Sequence, residues 1–309
     1  KQIDAFIGGI SNNFSSNLVV CQDKPEIIVV EADEYDRSFL KLEPDIAVIS
    51  SVDADHLDIY GAFDELSKSF SLFAGNIKPK GCLILKDGIS ISVNNNINIF
   101  SYSAYNIIDK QDFAAYDVNL KNGKYSFNLK LKDTYVEDVI CGVSGLHNVE
   151  NAVVAAAVAY NLGVDVSVIK NAIADFKGVQ RRFDFRILTE NMVYVDDYAH
   201  HPAEIKACLT SLKLLFPTKR MTVVFQPHLF SRTRDFIDDF ADSLQLADEV
   251  ILLDIYPARE KPIKGVSSSL LLSKINGTTK MLMSKDELLE YVKYNKPEFL
   301  VTMGAGDID

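Results

Sequence analysis

"MVYVDDYAHHPAEI", residues 192–205, changes its periodicity midway. Its first half is a short, β-branched apolar run, which reads as a buried strand. Pro202 then stands where a helix tolerates a residue without an N–H, and helical spacing continues to about Phe216. A strand feeding directly into a helix is the building unit of a parallel sheet covered on both faces. Working outward, "MTVVFQ" is another strand, a helix spans 232–247, and "DEVILLDIY" and "EFLVTMGAG" complete a strand set.

The same alternation occupies the first half. "EIIVVE" and "DIAVISS" read as neighbouring buried strands, "FDELSKSFSLFAGNI" (63–77) as an amphipathic helix and "GCLIL" as a strand. Across 88–141, "SISVNNNINIFSYS", "YDVNLKNGKYSFNLKL" and "TYVEDVIC" alternate apolar and polar residues between Asn and Gly turns. That pattern predicts antiparallel strands appended to a mainly parallel sheet. "HNVENAVVAAAVAYNLG" places Val149, Ala152, Val153, Ala156, Ala157 and Tyr160 on one helical stripe ending at a Gly cap. A boundary is expected near residue 180, giving domains 1–180 and 181–309.

At 309 residues the chain is long enough for two cores, and 48% hydrophobic with 24% charged residues is an ordinary globular composition. A formal charge of −11 argues against a nucleic-acid partner, which would call for a basic face. The longest apolar runs are too short to span a bilayer, so no membrane partner is expected. Cys21, Cys82, Cys141 and Cys208 are widely spaced and form no metal motif; buried reduced thiols and a cytoplasmic setting are expected.

In open parallel sheets, ligands gather beyond the carboxyl ends of the strands. "IIVVEADEYDRSF" (27–39) delivers Glu31 to such an end, and "VDADHLD" (52–58) delivers Asp53, Asp55, His56 and Asp58 to the next. Together they suit a divalent cation, Mg²⁺ by oxygen count, with Mn²⁺ the better match to an imidazole ligand. Each loop alone also fits a solvated acidic turn. Asn148 and Asn151 share a face at a helix start, and their amides match the adenine edge, though Asn also serves there as an ordinary cap.

"GVQRRFD" offers Arg181 and Arg182 to a phosphate or to surface ion pairs. The strand end at 195–201 carries Asp197, Tyr198 and His200, and a neutral imidazole there can hold or deprotonate an amine. "FQPHLFSRTRDF" (225–236) brings His228, Arg232 and Arg234 to a helix N-terminus, the setting of an anion site.

The motifs "VEADEYDRSF", "DADHLDIYG", "GLHNVENAVVAAA", "GVQRRFD", "DDYAHHPAEI", "FQPHLFSRTRDF" and "GAGDI", in this order, resemble the Mur ligases. They look most like the branch that joins L-alanine to UDP-N-acetylmuramate; the muropeptide-recycling branch, which transfers a tripeptide, is the alternative. The resemblance implies a central ATP-binding α/β domain followed by a smaller Rossmann-like domain. It also implies ATP- and Mg²⁺-dependent amide formation through an acyl phosphate, in peptidoglycan synthesis. By resemblance, Glu31 and His56 are the metal ligands, Asn148 and Asn151 contact adenine, Arg182 the nucleotide and Asp197 its ribose. His200 and Arg232 then lie at the amino-acid substrate, with Tyr198 and His228 beside them.

The family's GTxGKT phosphate loop and its UDP-binding domain are missing from these residues. The resemblance therefore implies a central plus C-terminal piece, inactive by itself. Leu229 stands where many members carry Arg, and Lys68 is too early to match the lysine that several members carbamylate. Two other classes remain beside the ligase: a nucleotide-binding module without catalysis, and a metal-dependent hydrolase built on the acid and histidine clusters.

Overall fold

A computed structural model describes residues 1–52, 63–93, 96–104, 110–121 and 123–308. Packing divides the chain into two units, Lys1–Lys177 and Gly178–Asp309.

The first unit begins with β1 (Ile3–Ser11), β2 (Ser16–Val19) and β3 (Ile27–Val30), a three-stranded sheet in the order β2-β1-β3. A second sheet runs in sequence order through β4 (Ile46–Ile49), β5 (Cys82–Lys86), β6 (Asn98–Ser103), β7 (Phe113–Lys121), β8 (Lys124–Leu131) and β9 (Thr134–Ile140). Its first four strands are parallel, and β7, β8 and β9 pair antiparallel. The parallel sheet with an antiparallel extension is therefore present. The antiparallel part is narrower than predicted, because β6 lies parallel to both β5 and β7. Long connections join these strands, so they return as crossovers rather than hairpins.

The helix Leu146–Asn161 buries Val149, Val153, Ala156 and Ala157 against β6, β7 and β8, as its stripe predicts. With Tyr102, Phe113, Phe127 and Leu131 they form the main core of this unit. On another core, Phe39, Phe73, Ala74 and Ile77 cover Leu83 of β5.

Two expectations about the acidic strand ends fail. β3 and β4 are not neighbours: β3 pairs with β1, while β4 is an edge strand of the six-stranded sheet. Nor is β3 buried, since Ile28, Val29 and Val30 are 59%, 49% and 45% exposed. An apolar run shows that a strand can be buried. Whether a layer covers it depends on the rest of the fold.

The second unit is one sheet in the order β10-β11-β15-β12-β13-β14. Its strands are β10 (Asp184–Leu188), β11 (Val193–Asp197), β12 (Met221–Phe225), β13 (Glu249–Leu252), β14 (Thr279–Leu282) and β15 (Phe299–Met303). All pairs are parallel except β10–β11. Helices Pro202–Leu215 and Ile237–Leu244 contribute Ile205, Leu209, Phe240 and Leu244 to the core on one face. Leu288, Tyr291 and Val292 of helix Lys285–Asn295 pack against Val224, Ile251 and Leu300 on the other. The helix expected over 232–247 is two, Phe230–Asp235 and Ile237–Leu244, broken at Phe236. Among the described residues, no helix is long and apolar enough to cross a membrane.

Candidate active site

The order of this second sheet sets the site. β15 inserts between β11 and β12, so the segments following β11, β15, β12 and β13 share one carboxyl edge. Tyr198 and His200 follow β11, and His228 follows β12. Tyr256 and Glu260 follow β13, and the turn Gly304–Asp307 follows β15.

The rings form a chain. Tyr198 meets His200 edge-on at 5.4 Å, His200 meets His228 at 6.0 Å, and His228 stacks on Tyr256 at 5.7 Å. The carbonyl of Tyr198 lies 3.0 Å from His200 Nδ1. A carbonyl only accepts, so Nδ1 carries the proton and the neutral ring's lone pair falls on Nε2. Burial, reinforced by the neighbouring His200 and Arg232, pushes His228 down to about 4, so it is neutral at physiological pH. Its Nδ1 and the Oε1 of Gln226 are buried polar atoms without a hydrogen-bond partner among the described residues.

Several charged residues are committed to structure. Arg181 donates Nε to Asp196 (3.2 Å), Nη1 to the Gly306 carbonyl (3.1 Å) and Nη2 to the Gly304 carbonyl (2.8 Å). It is the brace of the last turn. That turn needs glycine: Gly304 has φ +147°, and a Cβ on Gly306 would come within 2.4 Å of Gln226 Oε1. Asp197 is only 8% exposed, and its two oxygens accept from the N–H groups of Phe183 (2.8 Å) and Ala199 (2.7 Å). Burial, outweighing those bonds, pushes its carboxyl up to about 6. Each oxygen accepts one N–H in this anchoring role and keeps a further lone pair.

Arg182 remains accessible, its side chain 57% exposed, 3.7 Å from Glu204 and over the Tyr198 ring at 5.4 Å. The anion site expected at the helix Phe230–Asp235 is altered. Glu260 already accepts from Ser231 N (2.9 Å) and from its hydroxyl, and Arg234 turns to Asp235 at 2.6 Å. Arg232 is half-buried beside His228. Leu229 holds φ +68° and donates its N–H to Tyr256 O at 3.0 Å.

In the first unit, Glu31 is exposed, and its Oε2 accepts from Gly8 N at 2.6 Å. His56, Asp53, Asp55 and Asp58 lie outside the described residues. Among those described, no group of three His, Cys, Asp or Glu side chains is gathered for a metal. One anchored carboxylate is what a largely hydrated Mg²⁺ would use, so Glu31 fits while its partners are undescribed. Asn148 donates to Ser144 O (2.7 Å), and Asn151 donates to Asn148 Oδ1 (3.4 Å). Asn151, exposed, keeps an oxygen and a second N–H for a base edge.

Sequence reasoning missed Glu204, Tyr256 and Glu260. Glu204 stands at the capping-box position after "HHP", and "IYPARE" follows a strand end, so both signals were present.

Family models match both units: the Mur ligase middle domain over residues 12–159 and the Mur ligase glutamate ligase domain over 181–306. A relative from Porphyromonas gingivalis, named UDP-N-acetylmuramate–L-alanine ligase, is 46% identical over 99% of this chain and 67% of its own length. The chain belongs to the Mur ligase family. A relative of the same name from Christiangramia forsetii is 47% identical, and this Mur ligase chain spans 66% of its length. Among solved structures, UDP-N-acetylmuramate-alanine ligase from Thermotoga maritima superposes with a TM-score of 0.79 at 24% identity, covering 100% of this chain and 66% of its own. Thermotoga maritima MurF ligase in complex with ADP gives 0.72 at 19% identity, over 99% of this chain and 70% of its own. These two likenesses establish the shared Mur ligase fold.

Proposed function

We propose that this chain supplies the nucleotide-binding and amino-acid-binding parts of an ATP-dependent ligase joining L-alanine to the carboxylate of UDP-N-acetylmuramate in the cytoplasm. The observation carrying it is that relatives of this name match 99% of the chain at 41–47% identity. The geometry of the second unit supports it.

In this reading Asn148 and Asn151 receive adenine, Arg182 neutralises phosphate charge, and Glu31 with His56 would hold Mg²⁺, which offsets charge on the nucleotide phosphates. Arg232 pairs with the amino-acid carboxylate through its planar fork of donors. His200 presents the Nε2 lone pair to the ammonium, so the amine can be deprotonated before it attacks the activated carbonyl. Neutral His228 packs beside it without adding a charge that would repel the ammonium. Positioning supplies most of the rate gain in such a reaction.

ADP release by the intact protein, measured with UDP-N-acetylmuramate, ATP and each of L-alanine, glycine and tripeptide, tests the reading. Turnover with L-alanine is expected. Turnover with tripeptide alone would transfer the protein to the recycling branch, and phosphate release without any amine would make it a hydrolase.

A further inference from the structure

Glu204 sits at the third position of the helix Pro202–Leu215, where it forms a capping box with His201. A cap requires one bond, from the carboxylate to the N-cap N–H. Glu204 does more. Its Oε2 accepts from His201 N (3.1 Å) and from His200 N (2.9 Å), and lies 3.5 Å from His200 Nδ1. Its Oε1 lies 3.7 Å from Arg182 Nη1.

The second link between the same residues is aromatic. Arg182 lies over the Tyr198 ring, and Tyr198 meets His200 edge-on. Arg182 and His200 are therefore joined twice, through Glu204 and through Tyr198. A solvated ion pair at 3.7 Å contributes little stability, so this contact matters for geometry and local potential.

Resting on the ligase reading above, we propose that Glu204 is a positioning residue that ties Arg182 to His200 and keeps the Nε2 lone pair directed at the incoming amine. One oxygen fixes the backbone and the protonated Nδ1 edge of His200, and the other holds the arginine assigned to the nucleotide. When Arg182 turns toward a phosphate, the carboxylate is released to act more fully on His200. Nucleotide binding thereby strengthens the base.

Among the described residues, the charged and titratable groups around His200 include Glu204 and Arg182, Tyr198 and His228, and beyond His228, Arg232 and Glu260. Asp197 and Cys208 are buried within electrostatic reach of Glu204. Among them, Glu204 is the carboxylate in direct reach of the His200 ring, and it favours the imidazolium.

The test uses Glu204→Gln and Arg182→Gln in the intact protein. The readouts are the pH profile of kcat/KM for the amino acid and an NMR titration of the His200 ring. Glutamine keeps an oxygen for the backbone N–H groups, so the Glu204→Gln denaturation midpoint should hold. Its acid limb and the His200 titration midpoint should both move to lower pH, by about one unit, a tenfold change in population. Arg182→Gln should move the His200 midpoint the opposite way.

A simple cap predicts wild-type profiles in both variants, and that result would overturn the proposal. If Glu204→Gln does not fold, an unmoved His200 midpoint in Arg182→Gln overturns it alone. Wild-type protein that turns over no single amino acid would sink the ligase reading instead; the NMR titration would still decide the Glu204 contact.

Discussion

The backbone N–H of Gly8 donates to Glu31 Oε2 at 2.6 Å, so the neighbouring strand β1 sets the direction of the carboxylate proposed for the metal. Glu31 N in turn donates to Phe6 O at 3.1 Å, extending the β1–β3 pairing by one residue. A Cβ at Gly8 would stand 2.1 Å from that oxygen.

Glu31→Gln is expected to reduce ATP turnover of the intact protein on the order of 100-fold. Gly8→Ala should do so to a similar degree, because moving a reacting group by about an ångström costs about that much. Asp36 only caps Ser38 N (2.9 Å) from an exposed turn. Asp36→Asn should stay within about twofold of wild type. Equal losses at Glu31 and Asp36 in a magnesium-dependent ATPase assay would refute this division.

Arg181 serves three acceptors, including the buried Asp196, which also accepts from Thr302 Oγ1 at 2.7 Å. Arg181→Met should destabilise the second unit by about 3–5 kcal/mol, since it leaves a buried carboxylate unpaired. Lysine cannot reproduce the fork and should rescue only part of the loss. Urea denaturation at constant pH measures both.

Asp197 and His228 give opposite pH slopes over nearly the same range. Asp197 rises from 3.8 to about 6 on folding, so the native state holds its proton more tightly. Its contribution is full below pH 4 and is lost as pH climbs through 6, a change on the order of 3 kcal/mol. His228 falls from 6.5 to about 4, so its contribution is present above pH 6.5 and is lost as pH falls through 4. Being partly solvated, it should give the shallower slope. Stability curves from pH 4 to 7 should therefore tilt upward with pH, relative to wild type, in Asp197→Asn, and downward in His228→Gln. Curves parallel to wild type would contradict both assignments.

Asn151→Ala removes an exposed amide, so KM for ATP should rise roughly fivefold with stability unchanged. Asn148→Ala also loses the bond to Ser144 O and should cost about 1 kcal/mol of stability. Steady-state kinetics combined with thermal unfolding separates the two.

Strand-end reading put Tyr198 and His200 after one strand and His228 and Arg232 after another, and it was the family resemblance that assigned them to one substrate. Strand-end reading could not rank them against their neighbours. Arg181 and Arg182 are adjacent and identical in type, yet one is consumed by three acceptors and the other is mostly exposed. Arg234 and the helix N-terminus near it looked like an anion site, but Asp235 and Glu260 occupy those positions. Partners that lie 29 residues away, as Glu260 does from Ser231, leave no periodic trace.

By itself the sequence determined the local order: strand–helix alternation, the buried stripe of helix Leu146–Asn161, the Pro202 helix start and the family's motif series. Such features depend on spacing of a few residues, which the chain displays directly. Only the tertiary structure decided that β3 pairs with β1 rather than β4, that Ile28, Val29 and Val30 stay exposed, and that Asp197 and Arg181 are tied into the scaffold. Strand adjacency, burial and charge pairing are settled by which distant segments meet, and an apolar or charged residue carries no record of its eventual neighbour.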